Sequence, residues 1–230
     1  MLIGDKVNYG NGVKLERGKI VDEALNLLNE QGLDQLSTRR LAERLGVQQP
    51  ALYWHFKSKN ALLDAMNEEI LRRGHSHTAP AAGEPWDAFV LENARSFRRA
   101  LLAYRDGARV HAGNEPSDET LASSEALLEI MLAAGFDETT IVYGMISVGN
   151  YVVGSVLEQQ AAIERPLPTQ IPREKTAAAP RLFQLVNDLL AQGADKTAEQ
   201  AFETGLELIV EGLRGRLAGT GKRRRQATKA

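Results

Sequence analysis

Residues 36–66 read "LSTRRLAERLGVQQPALYWHFKSKNALLDAM". Ser37 stands where a helix N-cap belongs, and the "TRRLAERL" that follows sets Leu41 and Leu45 four apart, on one helical face. Gly46 closes that helix as a C-terminal cap does, since glycine enters the left-handed region without a Cβ penalty. Pro50 fits the first turn of a third helix, where its missing N–H would have had no partner. Ser58 caps a fourth helix through about Arg73. Upstream, Ile20, Ala24, Leu27 and Leu28 make an apolar stripe that ends at Gly32. Three short helices, the second and third joined by a tight "LGV" turn, predict a helix-turn-helix whose last member enters the major groove of DNA.

Aromatic residues make up 6% of the chain, yet Tyr53, Trp54, His55 and Phe56 are consecutive. On a helix, Leu52 and Phe56 pack inward with Leu41, Leu45 and Val47, while Gln49 and Tyr53 share another face with Trp54 and Lys59 beside them. An exposed aromatic contacts thymine methyls or sugar and phosphate, and a glutamine reads adenine through paired hydrogen bonds. Arg39, early on the preceding helix, is placed for guanine or phosphate. Periodicity alone leaves a second reading open, in which all these aromatics are core of a small three-helix head.

Beyond the head the pattern stays helical. The "GHSHTAPAAGEP" segment interrupts periodicity and marks a connector between Gly74 and Pro85. After it come "WDAFVLENARSFRRALLAY", a short piece ending at His111, a helix capped by Ser117 that stops at Gly135, and a long apolar helix from Asp137 to about Gln160. A proline-bearing loop, "ERPLPTQIPREKTAAAP", precedes helices near 181–192 and 197–217. Asn93 and Phe97, four apart, bring an amide and a ring to one helical face, which suits either a ligand chamber or a satisfied polar core.

The 230 residues, 43% of them apolar, can bury a substantial core. With no cysteine, disulfide scaffolds, thiolate metal sites and cysteine nucleophiles are excluded, and the four histidines must carry any nitrogen chemistry. There is no "HExxH", "GxSxG", phosphate loop or dinucleotide fingerprint, so an enzyme is not expected and no catalytic residue is assigned. No apolar stretch reads as long and uncharged enough to span a bilayer, and "MLIGDKVNYGNG" lacks the apolar centre of a signal peptide, so a cytoplasmic protein with no membrane partner is expected. The net charge of −2 is uneven: residues 75–221 hold twelve Lys/Arg against twenty Asp/Glu, whereas residues 222–230 hold five against none. An acidic body between basic ends is compatible with a head that meets phosphate, and equally with a solvated surface of random imbalance.

The run "TRRLAERLGVQQPALYWHFKSKNALLDA" closely resembles the operator-reading head of the tetracycline repressor (TetR) family, and "EPWDAFVLENARSFRRALLAYRDGARVHAG", "GFDETTIVYGMISVGNYVVGSVLE" and "GLELIVEGL" resemble segments of its ligand-binding body. The resemblance covers most of the chain from about Lys14 to Leu217 and implies an all-α fold. The expected layout is a flexible N-terminal extension (1–13), a three-helix DNA-binding head (14–60), a ligand-binding and dimerisation body (61–217) and a basic disordered tail (218–230). It implies DNA contacts from Ser37, Thr38, Arg39, Gln48, Gln49, Pro50, Tyr53, Trp54, His55 and Lys59, with Ala51 standing where the family has threonine.

In the body the resemblance makes His75, Asn93 and Phe97 the grip on the polar edge of a tetracycline-like ligand. His111 becomes the one direct protein ligand of a ligand-bound magnesium ion, and Glu158 a carboxylate reaching that ion through water from the partner subunit. No cofactor is implied for folding itself. Four positions depart from the family's pattern: Leu127 replaces a glutamine, Asn150 a histidine, Asn114 a threonine and Glu115 an arginine. The implied function is a homodimeric repressor that binds a palindromic operator and is released by a small molecule, either a tetracycline-like polyketide with magnesium or a different, metal-independent aromatic. Gly144, Gly149 and Gly154 allow close packing of the long helix, in a dimer core or within one chain.

Overall fold

The computed structural model describes residues 15–164 and 179–227, with residues 218–227 described by their backbone alone. Among the described residues there are ten α-helices, one 3-10 turn and no strand. The expected N-terminal extension and proline-bearing loop lie outside them.

Helix α1 (Arg17–Gln31) ends at Gly32, whose φ of 79° lies in the glycine-favoured region. A 3-10 turn, Leu33–Gln35, leads to the Ser37 cap of α2 (Thr38–Leu45); the Ser37 hydroxyl accepts the Arg40 N–H at 3.3 Å. Gly46, left-handed at φ 67°, turns the chain into α3 (Gln49–Tyr53), with Pro50 in its first turn. Ser58 then caps α4 (Lys59–Gly74), its hydroxyl accepting the Ala61 N–H at 3.0 Å. Ion pairs from Arg44 to Glu23 at 2.8 Å and to Glu30 at 2.6 Å clip α2 to α1.

The body comprises α5 (Trp86–Leu102), α6 (Gly107–His111), α7 (Asp118–Ala134), α8 (Glu138–Glu164), α9 (Pro180–Leu190) and α10 (Ala194–Ala227). Helix α8 packs along α5, α7 and α10, and α4 bridges α1 to α5 and α6. One continuous apolar cluster joins Leu28, Leu41, Leu52 and Phe56 of the head to Met66 and Ile70 of α4 and to Leu101, Ala108 and Val110 of α5 and α6. The boundary expected after residue 60 therefore falls in the first turn of a helix that shares the head's core. Truncating a core leucine such as Leu41 to alanine would cost on the order of 2–5 kcal/mol.

Two expectations need correction. Helix α8 carries no charged residue between Glu138 and Glu158, and it is long and apolar enough to cross a membrane by length and composition, although none was expected. Here it lies in a helical bundle with Ile141, Val152 and Val156 buried and Val142, Tyr143 and Ile146 exposed. The last helix, expected to stop near 217 before a disordered tail, continues to Ala227. Nothing in "RGRLAGTGKRRRQA" forbids this, for its glycines lower helix propensity without breaking the backbone hydrogen-bond ladder as proline does.

Candidate DNA-reading surface and ligand chamber

In the head, alternation around α3 separates two sets of side chains. Leu52 and Phe56 are buried, whereas Tyr53 is 44% and Trp54 79% exposed, so the reading in which every aromatic is core fails for these two rings. Gln48, Pro50, Lys57 and Lys59 are exposed, and His55 is half-buried. Gln49 is half-buried rather than free: its Nε2 donates to Thr38 Oγ1 at 2.8 Å, which ties α3 to the start of α2 and uses one of the amide's two N–H groups. Ser37 is engaged as the cap, and Arg39 is exposed beside Glu43 at 3.0 Å. All ten residues implied as DNA contacts thus fall between the N-cap of α2 and the first residue of α4.

In the body, a cavity of about 920 Å³ is lined by His75, Asn93, Phe97, His111 and Leu127 together, with Val90, Ala94, Met131, Val148 and Val152 among its apolar walls. The rings are in contact: Phe97 lies 5.6 Å from His75 and 4.9 Å from His111, centroid to centroid. Asn93 Nδ2 donates to the His77 carbonyl at 2.8 Å. Leu127 is an apolar wall where the family pattern would place an amide.

Ser96 Oγ, fully buried, accepts the backbone N–H of Ser76 at 2.7 Å and of His77 at 3.1 Å and lies 3.0 Å from His75 Nδ1, while Asn93 Nδ2 lies 3.5 Å from His75 Nε2. In the neutral His111 ring, Nδ1–H donates to Asn67 Oδ1 at 3.0 Å, and Nε2 keeps its lone pair. Burial pushes the His75 pKa down to about 4, helped by the nearby His77, Arg99 and His111, and burial also lowers that of His111. Burial thus favours the neutral form of both rings, and His111 Nε2 can accept a hydrogen bond or ligate a metal.

The chamber of a single chain excludes two expected members, Asn114 and Asn150. Asn114 does not line it; its Nδ2 donates to the Val110 carbonyl at 2.7 Å. Asn150 is exposed on α8, and Glu158 lies in a separate crevice with Leu102, Arg105 and Arg109. Glu115 is exposed. Among the described residues no group of three or more His, Asp or Glu side chains is placed to hold a metal. A divalent cation here needs oxygens from its ligand, with His111 Nε2 as the protein donor, a donor set that suits a mostly ligand- and water-coordinated magnesium.

Sequence reasoning missed Asn67, Ser96 and His77, which orient the chamber. A signal existed: Asn67 falls four after Leu63 and three before Ile70, and Ser96 falls between Asn93 and Ala100, so helical spacing alone turns both inward.

Residues 20–66 match the family described as "Bacterial regulatory proteins, tetR family", and residues 79–217 match "Tetracyclin repressor-like, C-terminal domain". The tetracycline repressor protein class A from transposon 1721 of Escherichia coli is 45% identical over 200 residues, covering 87% of this chain and 91% of that protein. Among solved structures, a TetR variant from Acinetobacter baumannii AYE in complex with minocycline is 41% identical with a TM-score of 0.73, covering 87% of this chain and 97% of that one. A class A TetR in complex with 5a,6-anhydrotetracycline and magnesium is 40% identical with a TM-score of 0.67, covering 87% and 99%. Matched in both domains, and similar to these relatives over most of its length, the chain belongs to the TetR family.

Proposed function

We propose that the protein is a homodimeric transcriptional repressor that holds a palindromic operator with Tyr53, Trp54, Gln49 and their neighbours and releases it when a small molecule fills the chamber. The observation that carries this reading is the 3.0 Å hydrogen bond from His111 to Asn67. It joins a chamber residue on α6 to α4, the helix whose core is shared with the head. A ligand that displaces His111 pulls directly on the support of the reading surface. The ligand must bind the displaced form better than the operator-competent form, since equal affinity would shift nothing.

Two heads on a two-fold axis would meet half-sites one helical turn apart. The exposed apolar residues of α8 (Val142, Tyr143, Ile146) and Leu208 of α10 support self-association through these helices. The glycines divide: a Cβ on Gly144 would stand 3.1 Å from Leu213 within the chain, Gly149 lines the chamber, and Gly154 faces open space and leaves room for a second copy.

For the ligand, a tetracycline-like polyketide carried with magnesium fits best. His111 Nε2 would ligate a magnesium ion chelated by such a ligand's own oxygens, and the ion would supply a positive charge to the ligand's polar edge. His75 and Asn93 face that edge, Phe97 offers a ring to stack on, and Leu127 adds apolar contact. Glu158 would reach the ion only from a second copy. The alternative, a metal-independent aromatic ligand, is favoured by Leu127, an apolar wall that offers such a ligand no hydrogen bond. Titration of the dimer with 5a,6-anhydrotetracycline, with and without a magnesium chelator, tests the choice. Affinity unchanged by chelation removes the metal, and no loss of operator affinity at saturating ligand removes the inducer.

A further inference from the structure

We propose that Asp106 and Arg109 form a latch between α6 and the 3-10 turn of the head, giving the chamber a second mechanical route to the reading surface beside α4. The proposal rests on the ligand-responsive reading above, but its central contact stands on geometry alone. Asp106 is the sole non-glycine residue with positive φ, 56°, among the described residues. An aspartate held there is strained unless its surroundings over-determine it. It occupies the N-cap of α6 without capping that helix. Its carboxylate, 6% exposed as a residue, turns instead to the head: Oδ2 accepts the Leu33 N–H at 2.7 Å. Oδ1 accepts from Arg109 at 3.0 Å, and the other terminal nitrogen of Arg109 pairs with Asp34 Oδ1 at 2.6 Å. Next to them the Arg105 N–H donates to Asn29 Oδ1 at 2.9 Å. The side chains of Arg105 and Asp106 pack so closely on Gly32 that a Cβ there would lie 3.1 Å from Asp106 Oδ2.

Position gives this contact its meaning. Helix α6 spans only Gly107–His111, with the latch at its start and the chamber residue His111 at its end. The gripped turn, Leu33–Gln35, leads through buried Leu36 to the Ser37 cap of α2. A shift of α6 must therefore drag the turn that positions α2 and α3, or break the latch and free it.

The test compares hydrogen exchange of the full-length dimer, without ligand, for wild type, Asp106→Gly, Asp106→Asn and Arg109→Ala. Glycine removes the carboxylate while relieving the backbone strain, and asparagine tolerates the left-handed region and keeps one acceptor for Leu33. In Asp106→Gly, exchange across residues 33–45 should rise about tenfold, the scale expected for a lost charged hydrogen bond, with α7 unchanged. Affinity for a duplex selected by the wild-type protein from a random pool should fall by a similar factor. Asp106→Asn should recover part of both effects, a graded rescue that a purely structural strain site would not give, because glycine would then be the better substitute. Wild-type exchange at 33–45 in Asp106→Gly overturns the latch. If that variant does not fold, unchanged exchange in Arg109→Ala overturns it instead. Since exchange is read without ligand, a protein that ignores 5a,6-anhydrotetracycline sinks the inducer assignment and leaves this result standing.

Discussion

The head and the body solve recognition in opposite ways. In the head, every proposed contact lies within the short run from Ser37 to Lys59, displayed by two helices and the turns around them over a base of Leu41, Leu52 and Phe56. In the body, the chamber draws His75 from the end of α4, Asn93 and Phe97 from α5, His111 from α6, Leu127 from α7 and Val152 from α8. One surface is nearly complete in a single stretch of chain, and the other exists only where several helices converge. The contrast teaches that a groove-reading helix needs exposure and local rigidity, whereas a chamber needs long-range packing and polar groups oriented by neighbours distant in sequence.

Substitutions can break that contrast. The largest effect is expected in the body: His111→Ala should weaken 5a,6-anhydrotetracycline binding in the presence of magnesium by at least about 100-fold, by removing the one nitrogen donor from the chamber. Calorimetric titration reads it, and duplex affinity without ligand should hold. Tyr53→Ala is the mirror image, with a loss of about 30-fold or more in operator affinity by mobility shift and ligand affinity intact. If either variant lost both activities at once, the two regions would not be separable.

Asn67→Ala sharpens the comparison, because Asn67 is buried on α4 against His111 and lies outside the proposed DNA-reading run. A loss of about tenfold in ligand affinity is expected, together with a smaller ligand response of the operator complex. Equal operator release by ligand in wild type and variant would remove Asn67 from the coupling.

The smallest effect concerns pH. The folded-state pKa of His75 is pushed down to about 4 by burial, below its ordinary 6.5, so the unfolded chain takes up a proton that the folded chain refuses. Its contribution to stability is present above pH 6.5 and declines as the pH falls toward 4. Denaturant midpoints measured across that window should drop less steeply in His75→Gln than in wild type, and parallel profiles would refute the assignment.

How far these features were legible follows from how local their causes are. The caps at Ser37, Ser58 and Ser117 and the helix-ending Gly32, Gly46 and Gly135 fall where sequence reading puts them, because each cap is a contact within one turn. Periodicity alone does not choose between a buried and an exposed Trp54 beside the buried Phe56, because the choice depends on the neighbouring helices. The spacing of Asn67 and Ser96 turns them inward, but a polar residue on an apolar face declares no function until its partner is known. Helix α8 is apolar over a membrane-spanning length and the C-terminal helix runs past its expected end, since a composition-based boundary gives way to a continuous hydrogen-bond ladder.

By itself the sequence determined the order of the helices, the caps and tight turn of the helix-turn-helix, and the absence of thiol chemistry. Those properties depend on contacts within a few residues and on which atoms the chain contains. Only the tertiary structure decided that Trp54 is exposed while Phe56 is buried, that Leu127 shares a chamber with His111 while Asn114 and Asn150 stand outside it in one chain, that His111 bonds to Asn67, and that Asp106 reaches across to Leu33. These features depend on residues far apart in the chain, and they arise only when packing brings the partners together.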